Sequence, residues 1–509
     1  MATTKILKVM LWGREVGRLS IDMRRHLPYF EFNPEWIDSG LDISPLDISI
    51  KQPQILRPIL GNTEKKIYHN LPPFLADSLP DAWGNELFEQ WRQQRGLKLG
   101  DITPLDKLAF IGKRAMGALE FQPATSDVQA EENFDLKALI DLANQIYSQR
   151  EIAHIDPSQS LTMQALMAVG TSAGGRMPKA IIAINWETGD IRSGQVNDLK
   201  GYDYCIVKFG IKKRSTAELE MAYHEMAVEA GIDMMPCWLL EIGGENHFIT
   251  KRFDRDGERK LHIQTLAALC PEADSYERLL WVCRKMRLSE YESEEIFRRM
   301  VFNILANNTD DHVKNFSFMM DEHGRWSLSP AYDLTYIFDN RGYLPERHHC
   351  LMIHGKYTDI TLDDVMALAA ENGIRKAKDI IREIANVVRN FRNYASKYGA
   401  QEHWISAVER TLNDNLESWG LKEHNKTNFI INGHKIEDFH IEQQFEGNYL
   451  LTAKHCGKNR KYIIRKGTPE HDEMTKIGLT NLSEEKAREF LERFFLEKWK
   501  KLPIFANKI

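Results

Sequence analysis

The 509-residue chain lacks any run of about 18 apolar residues, so a membrane-spanning helix is not expected. Its six cysteines, at 205, 237, 270, 283, 350 and 456, form no C-x-x-C pair and no cluster with zinc-ligand spacing. That pattern argues against a disulfide framework and a structural zinc site, and fits a reducing compartment. Residues 1–17 lack the apolar stretch and cleavage site of a signal peptide, so the expected location is the cytoplasm, without membrane contact. Charge of one sign is scarce: 67 Lys plus Arg against 73 Asp plus Glu leave a net −6, which excludes a protein that coats nucleic acid by bulk charge. There is no solenoid-length repeat, no low-complexity tract, no Walker A loop and no G-x-G-x-x-G fingerprint.

What is present is ample material for a core, 43% hydrophobic and 28% charged residues. The length suits roughly two to four domains. Ile6 to Trp12 and Arg18 to Ile21 read as a hairpin turning over Gly13 to Gly17. Residues 72–95 read as largely helical, ambiguous near Pro80, and 104–122 as a helix, a glycine-broken turn and a strand. The polar, acidic stretch 123–135 reads as a linker. The domains expected are therefore 1–125, 136–255, 256–420 and an extension, 421–509. Residues 165–255 are strand-rich with one helix, 216–230, that Gly231 stops. From about 260 to 306 and from 360 to 420 the pattern is helical; 428–466 returns to strand-like alternation, and Ser483 to Lys500 reads as a helix. A β-rich lobe followed by a helical lobe is the outline of a protein-kinase-shaped phosphotransferase.

The strongest chemical signal is Asp310-Asp-His-Val-Lys-Asn315. It follows an apolar helix and precedes a hairpin (Phe316 to Met320, Arg325 to Ser329) that runs into Pro330-Ala-Tyr-Asp333. Helix, Asp-x-x-x-x-Asn, hairpin, Asp is the kinase order, in which the first Asp accepts the hydroxyl proton and the Asn and second Asp hold Mg²⁺. The chemistry needs positioning and charge neutralisation rather than a strong nucleophile, and Asn315 and Asp333 supply the hard oxygens Mg²⁺ prefers. Singly, each such residue is an ordinary cap or turn former; the order of elements is what carries the reading. Upstream, Gly170, Gly174 and Gly175 lie in a loop that would let backbone N–H groups approach phosphates. Lys208 ends an apolar strand, where a kinase lysine grips phosphates and pairs with a helix glutamate; Glu218, Glu220 and Glu225 are candidates and Glu220 is favoured. Phe248 to Arg255 has the place of a hinge between lobes, or of an ordinary edge strand.

Ser172-Ala-Gly-Gly-Arg-Met-Pro-Lys179, Cys205-Ile-Val-Lys208, Lys251-Arg-Phe-Asp-Arg255, Asn308-Thr-Asp-Asp-His-Val-Lys-Asn-Phe316 and Ala331-Tyr-Asp333 together resemble the HipA-like serine/threonine kinase toxins. Leu71 to Trp83 and Leu108 to Leu119 resemble that family's accessory domain, so the likeness covers roughly residues 5–415. The resemblance implies an α+β, bilobal kinase-like fold with an N-terminal accessory domain, using ATP and Mg²⁺. It implies Asp310 as catalytic base and Asn315 and Asp333 as metal ligands. Lys208 would hold the phosphates, with Lys179 and a movable loop of Ser172, Ala173, Gly174 and Gly175. Lys251 to Phe253 would face adenine, and His312 and Tyr332 would line the nucleotide. Ser172 would be an inhibitory autophosphorylation site, since phosphate adds about −1.5 to −2 charge there. The implied partners are a HipB-like helix-turn-helix antitoxin, DNA mainly through that antitoxin, and a protein substrate such as an aminoacyl-tRNA synthetase.

This chain departs from the pattern in three places. Pro178 removes an N–H donor before Lys179. Lys251 stands where an acidic residue is usual, and the chain continues past 420 with a basic run, Lys454 to Lys461. That run suits a solvated hairpin face or nucleic-acid contact. Two alternatives to a toxin kinase stay open from sequence: a kinase of a small molecule or lipid, and a non-catalytic co-repressor acting through an antitoxin on DNA.

Overall fold

The computed structural model describes residues 5–464 apart from 23, 26, 53–57, 99, 101, 126–134, 150–159, 171–176, 196–198, 258, 340–343, 422–426, 432–433, 444–448 and 456–457. Two compact units divide between Trp419 and Gly420. The architecture of the first is α+β, with a β-rich lobe preceding a helical one.

The chain begins with β1 (Ile6–Leu11), β2 (Arg14–Asp22), β3 (Leu27–Phe32), β4 (Ile59–Leu60) and, after helices Pro73–Ala76, Ala82–Gln94 and Pro104–Ile111, β5 (Leu119–Gln122). They form an antiparallel sheet in the order β4-β3-β2-β1-β5. The first turn is tighter than its sequence suggests. Trp12 and Gly13 both have positive φ, 49° and 74°, the two-residue turn whose twist suits a hairpin, so the strand resumes at Arg14. Residues 72–95 split at Pro80 into Pro73–Ala76 and Ala82–Gln94.

Helices Leu136–Gln149 and Ser160–Gly170 lead to the second sheet, ordered β7-β6-β8-β10-β9. Its strands are β6 (Lys179–Ile184), β7 (Ile191–Ser193), β8 (Asp203–Lys208), β9 (Cys237–Ile242) and β10 (Glu245–Lys251), with helix Thr216–Glu229 between β8 and β9. Strand alternation sorts this sheet by face. Ala180, Ile182, Cys205, Val207 and Ile249 enter one apolar core shared with the first sheet and with Leu139, Ala143 and Leu166. Phe248 and Cys237 face helix Thr216–Glu229 instead, packing with Ala217 and Met221. The shared core runs across the expected boundary between residues 125 and 136, because the two helices after it bury their apolar sides against both sheets.

A short hairpin, β11 (Arg255–Asp256) and β12 (Arg259–Lys260), precedes β13 (His262–Thr265). The sequence pattern from about 260 reads as helix, yet β13 pairs with β14 (Ser317–Met320), which pairs with β15 (Trp326–Leu328). Its partner lies about fifty residues on, out of reach of a local pattern. Helices Tyr276–Lys285, Glu290–Leu305, Leu362–Glu371, Ala377–Arg389, Phe391–Lys397 and Glu402–Ser418 complete the helical lobe. Among the described residues no helix is long and apolar enough to cross a membrane. The second unit holds an antiparallel sheet of β16 (Thr427–Ile431), β17 (His434–Gln443), β18 (Tyr449–His455) and β19 (Lys458–Ile464), in that order. The basic run spans the β18–β19 connection, with Lys454 opposite Asn459. The helix expected over Ser483 to Lys500 lies outside the described residues.

His262 is fully buried on β13, edge-on to the Trp326 ring. Burial holds its pKa down to about 3, against 6.5 ordinarily, so the folded ring is neutral. Between those values the unfolded chain binds a proton that the fold does not, so stability is lost as pH falls below about 6.5, by about 1.4 kcal/mol per unit. Urea unfolding of wild type and His262→Gln between about pH 7 and pH 4 should give slopes differing by about one proton. Equal slopes would contradict a buried neutral imidazole.

Candidate active site

Helix Glu290–Leu305 starts at a capping box of Ser289 and Glu292 and ends before Asn307, whose φ of 55° turns the chain out of the helix. The loop that follows is held from below by Asp311. Its fully buried carboxylate accepts from Tyr276 Oη at 2.7 Å and the Cys350 N–H at 2.7 Å, and lies 3.0 Å from His349 Nδ1. Asn303 donates to Tyr276 Oη at 3.0 Å, and Asn308 donates to Asn303 Oδ1 at 2.9 Å. With Asp311 pointing inward, Asp310 points outward: its side chain is 53% exposed. Asn315 Nδ2 donates to the Asp310 carbonyl at 2.6 Å, so the Asn315 side chain has its Oδ1 left as acceptor. His312 Nε2 lies 3.8 Å from Asp310 Oδ1.

The β14–β15 hairpin returns the chain to Ala331-Tyr332-Asp333. Tyr332 Oη donates to the Lys314 carbonyl at 2.7 Å and meets Ser317 Oγ at 2.5 Å, locking this segment to the loop. The Tyr332 ring stacks on Phe253, centroids 5.6 Å apart and 28° between planes. Asp333 adopts φ +56°, a left-handed conformation that aspartate tolerates better than most residues. Its carboxylate pairs with Lys208 Nζ, which also pairs with Glu220. Burial would raise the Asp333 pKa, but Lys208 and Lys179 pull it down to about 2. Burial would lower that of Lys208, and the two carboxylates more than offset it, so the ammonium stays charged. Lys179 is buried at the start of β6; burial lowers its pKa, with Asp333, Glu220 and Asp81 near enough to oppose that.

The fold therefore gathers Lys179, Lys208, Glu220, His312, Tyr332 and Asp333 with the loop bearing Asp310 and Asn315. Lys251 is turned elsewhere. It is in register with Cys205, three positions along from the Lys208–Phe248 pair, and an odd offset puts its side chain on the opposite face of the sheet. There Lys251 Nζ pairs with Asp203 Oδ1 at 2.6 Å. The structure departs from the expectation that Lys251 to Phe253 face adenine at one point, the Lys251 side chain, which is taken up by Asp203. Ser172, Ala173, Gly174 and Gly175 lie outside the described residues.

The rest of the Lys251-to-Arg255 motif has a structural task. Arg252 and Asp254 are both buried, Arg252 donating to Asp254 through Nε at 2.7 Å and Nη2 at 2.6 Å. Arg255 Nη1 donates to the same carboxylate at 2.6 Å, and so does the Gly117 N–H at 2.7 Å. Gly117 has φ +76°, and a Cβ there would meet Ile263 N at 3.0 Å, so glycine permits this close crossing. The motif is thus a clamp between the first sheet's last turn and the second sheet. Sequence reasoning missed this clamp and the anchoring by Asp311, because nothing local says which of two consecutive aspartates faces inward.

Two protein-family models match parts of this chain. Residues 7–122 match the HipA N-terminal domain family and residues 171–391 the HipA-like C-terminal domain family. A protein named putative kinase from Haemophilus influenzae is 27% identical over 210 residues, 36% of this chain and 60% of that protein. The serine/threonine-protein kinase toxin HipA of Shewanella oneidensis is 20% identical over 368 residues, 66% of this chain and 76% of that protein. A solved Shewanella oneidensis complex of HipA, HipB and operator DNA superposes with a TM-score of 0.58 at 17% identity, covering 81% of this chain and 97% of that one. The first of these relatives is thus spanned over less than two thirds of its length, and the structural likeness is one of fold.

Removing Asp254 would leave the buried Arg252 guanidinium without its counter-charge. Asp254→Ala should cost about 3–5 kcal/mol in urea unfolding, the usual toll of breaking a buried pair. A loss below about 1 kcal/mol would mean that the clamp is replaceable by solvent.

Proposed function

We propose, for a chain that is HipA-like in both its accessory and its catalytic parts, that it transfers the γ-phosphoryl group of Mg-ATP to serine or threonine of a protein and serves as the toxin of a toxin–antitoxin module. The observation that carries this reading is Lys208, held between Glu220 and Asp333 beside the loop of Asp310 and Asn315. An aligned lysine, a helix glutamate that orients it and a following aspartate are the parts such a transfer needs.

Asp310 accepts the proton of the attacking hydroxyl; its exposed carboxylate leaves room for an acceptor side chain. Lys208 orients the phosphates, and Glu220 keeps its ammonium charged and aimed. Asn315 Oδ1 and the Asp333 carboxylate are hard oxygen donors, a two-residue set that suits Mg²⁺, which takes its other ligands from phosphates and water. When bound, the metal neutralises the charge spread over the phosphoryl oxygens. Phe253 and Tyr332 offer stacked rings beside the cleft, and His312 lies next to Asp310. Phosphate on Ser172 would place negative charge in the loop leading to Lys179 and oppose entry of ATP. A HipB-like antitoxin, with DNA reached through it, is the partner suggested by the Shewanella complex, which contains both. Translation machinery, such as an aminoacyl-tRNA synthetase, is the acceptor class this reading favours.

Asp310→Ala should lower transfer of label from ATP to protein by about 10²–10⁴ without moving the melting temperature. Asp333→Ala and Asn315→Ala should be similarly inert. Near wild-type labelling by Asp333→Ala would defeat the metal assignment. Phosphoproteomics of cells expressing wild type or Asp310→Ala then identifies the acceptor.

Intact-mass and peptide analysis after incubation with Mg-ATP should find one phosphate on Ser172. An unmodified Ser172 would remove the autoinhibition and leave the transferase reading untouched.

A further inference from the structure

We propose that Asp81, in the accessory part of the chain, is a positioning residue for the catalytic loop, acting through Lys314. This rests on the kinase reading for its functional meaning, although its structural content is independent of it. Asp81 Oδ1 lies 2.7 Å from Lys314 Nζ, across 233 residues of chain. Both side chains are mostly buried, 26% and 33% exposed, so the pair is partly shielded from water.

Lys314 is fastened at several atoms. Its N–H donates to His312 Nδ1 at 3.2 Å, its carbonyl accepts from Tyr332 Oη at 2.7 Å, and its ammonium is held by Asp81. The next residue is Asn315, so the direction of the Asn315 amide is set by how Lys314 is held. The same accessory segment reaches the loop by a second route. Asp77 accepts from the Thr265 N–H and Oγ1, both at 2.7 Å, and Tyr68 Oη donates to the Ala267 carbonyl at 2.8 Å. Leu266 and Ala267 in turn donate their N–H groups to the Phe316 and Val313 carbonyls, at 2.7 and 3.1 Å. At the other end of the segment, Trp83 Nε1 donates to the Lys179 carbonyl at 3.2 Å. One stretch, residues 68–83, therefore touches the start of β6, the end of β13 and the catalytic loop. Of these contacts the Asp81–Lys314 pair is the one that reaches the loop side chain to side chain. Without Asp81 the lysine stem loses its outer fastening and Asn315 loses a fixed neighbour.

The test uses the full chain with Asp81→Asn, Lys314→Met, their combination, and the swap of Asp81→Lys with Lys314→Asp. Hydrogen exchange is followed for residues 308–316, with helix Ala377–Arg389 as internal control, alongside phosphotransfer kinetics. Asp81→Asn should speed exchange in the loop by about tenfold with the control helix unchanged, and lower kcat by about tenfold with the KM for ATP within about twofold. The double variant should be no worse than Lys314→Met alone, because both remove one interaction. The swapped pair should regain loop protection. Unchanged loop exchange in Asp81→Asn, or losses that simply add in the double variant, would overturn the proposal. Loss of protection in the control helix too would assign Asp81 to global stability instead and equally overturn it. If wild type transfers no phosphate while the loop responds as described, the kinase reading falls and the positioning role stands.

Discussion

A single ammonium, Lys208 Nζ, lies against two carboxylates supplied by different parts of the fold, Glu220 from the helix after β8 and Asp333 from the segment after β15. A mostly buried positive charge needs such partners, and each carboxylate so close to the other needs that charge between them. The contact therefore fixes the helix against the second sheet and brings the Asp333 segment up to the same place. The rest of the site is arranged around this point: Tyr332 ties Asp333 to the loop of Asp310 and Asn315, and Asp311 pins that loop from beneath.

The accessory part of the chain is not an appendage to this arrangement. Its sheet shares an apolar core with β6, β8 and β10, and it meets the second sheet through a fully buried carboxylate, Asp254, that serves two arginines and a glycine N–H. Apolar burial supplies the adhesion, while the Asp254 clamp and the Asp81–Lys314 pair supply direction. Hydrophobic contact alone tolerates sliding; hydrogen-bonded charges do not. That division explains why charged residues occur where a core contact would have given adhesion as well.

Much of the site was legible before any coordinates. The spacing of Asp310 and Asn315 after an apolar helix, the hairpin and Asp333 after it, and the choice of Glu220 as the partner of Lys208 all appear in the structure in the expected relation. They were legible because each depends on local order: a helix end, a two-strand hairpin, a helix face. The misplacements are of another kind. Lys251 and Phe253 belong to one motif, yet β10 ends at Lys251: register turns Lys251 to the face opposite Lys208, while Phe253 lies in the turn beyond the strand and stacks on Tyr332. The stretch holding β13 reads as helix from its local pattern because its partner, β14, is far along the chain.

The sequence by itself determined the order of elements, the spacing of Asp310, Asn315 and Asp333, and the motifs that carry the likeness to one family. The first two follow from periodicity and spacing, which act over a few residues. Only the tertiary structure decided which of Asp310 and Asp311 faces out, which side of the second sheet Lys251 occupies, and that Asp81 and Asp254 reach across the chain to Lys314 and Gly117. Those outcomes turn on pairing register and on contacts between distant segments, where the burial of a charge is settled by whatever the fold places opposite it.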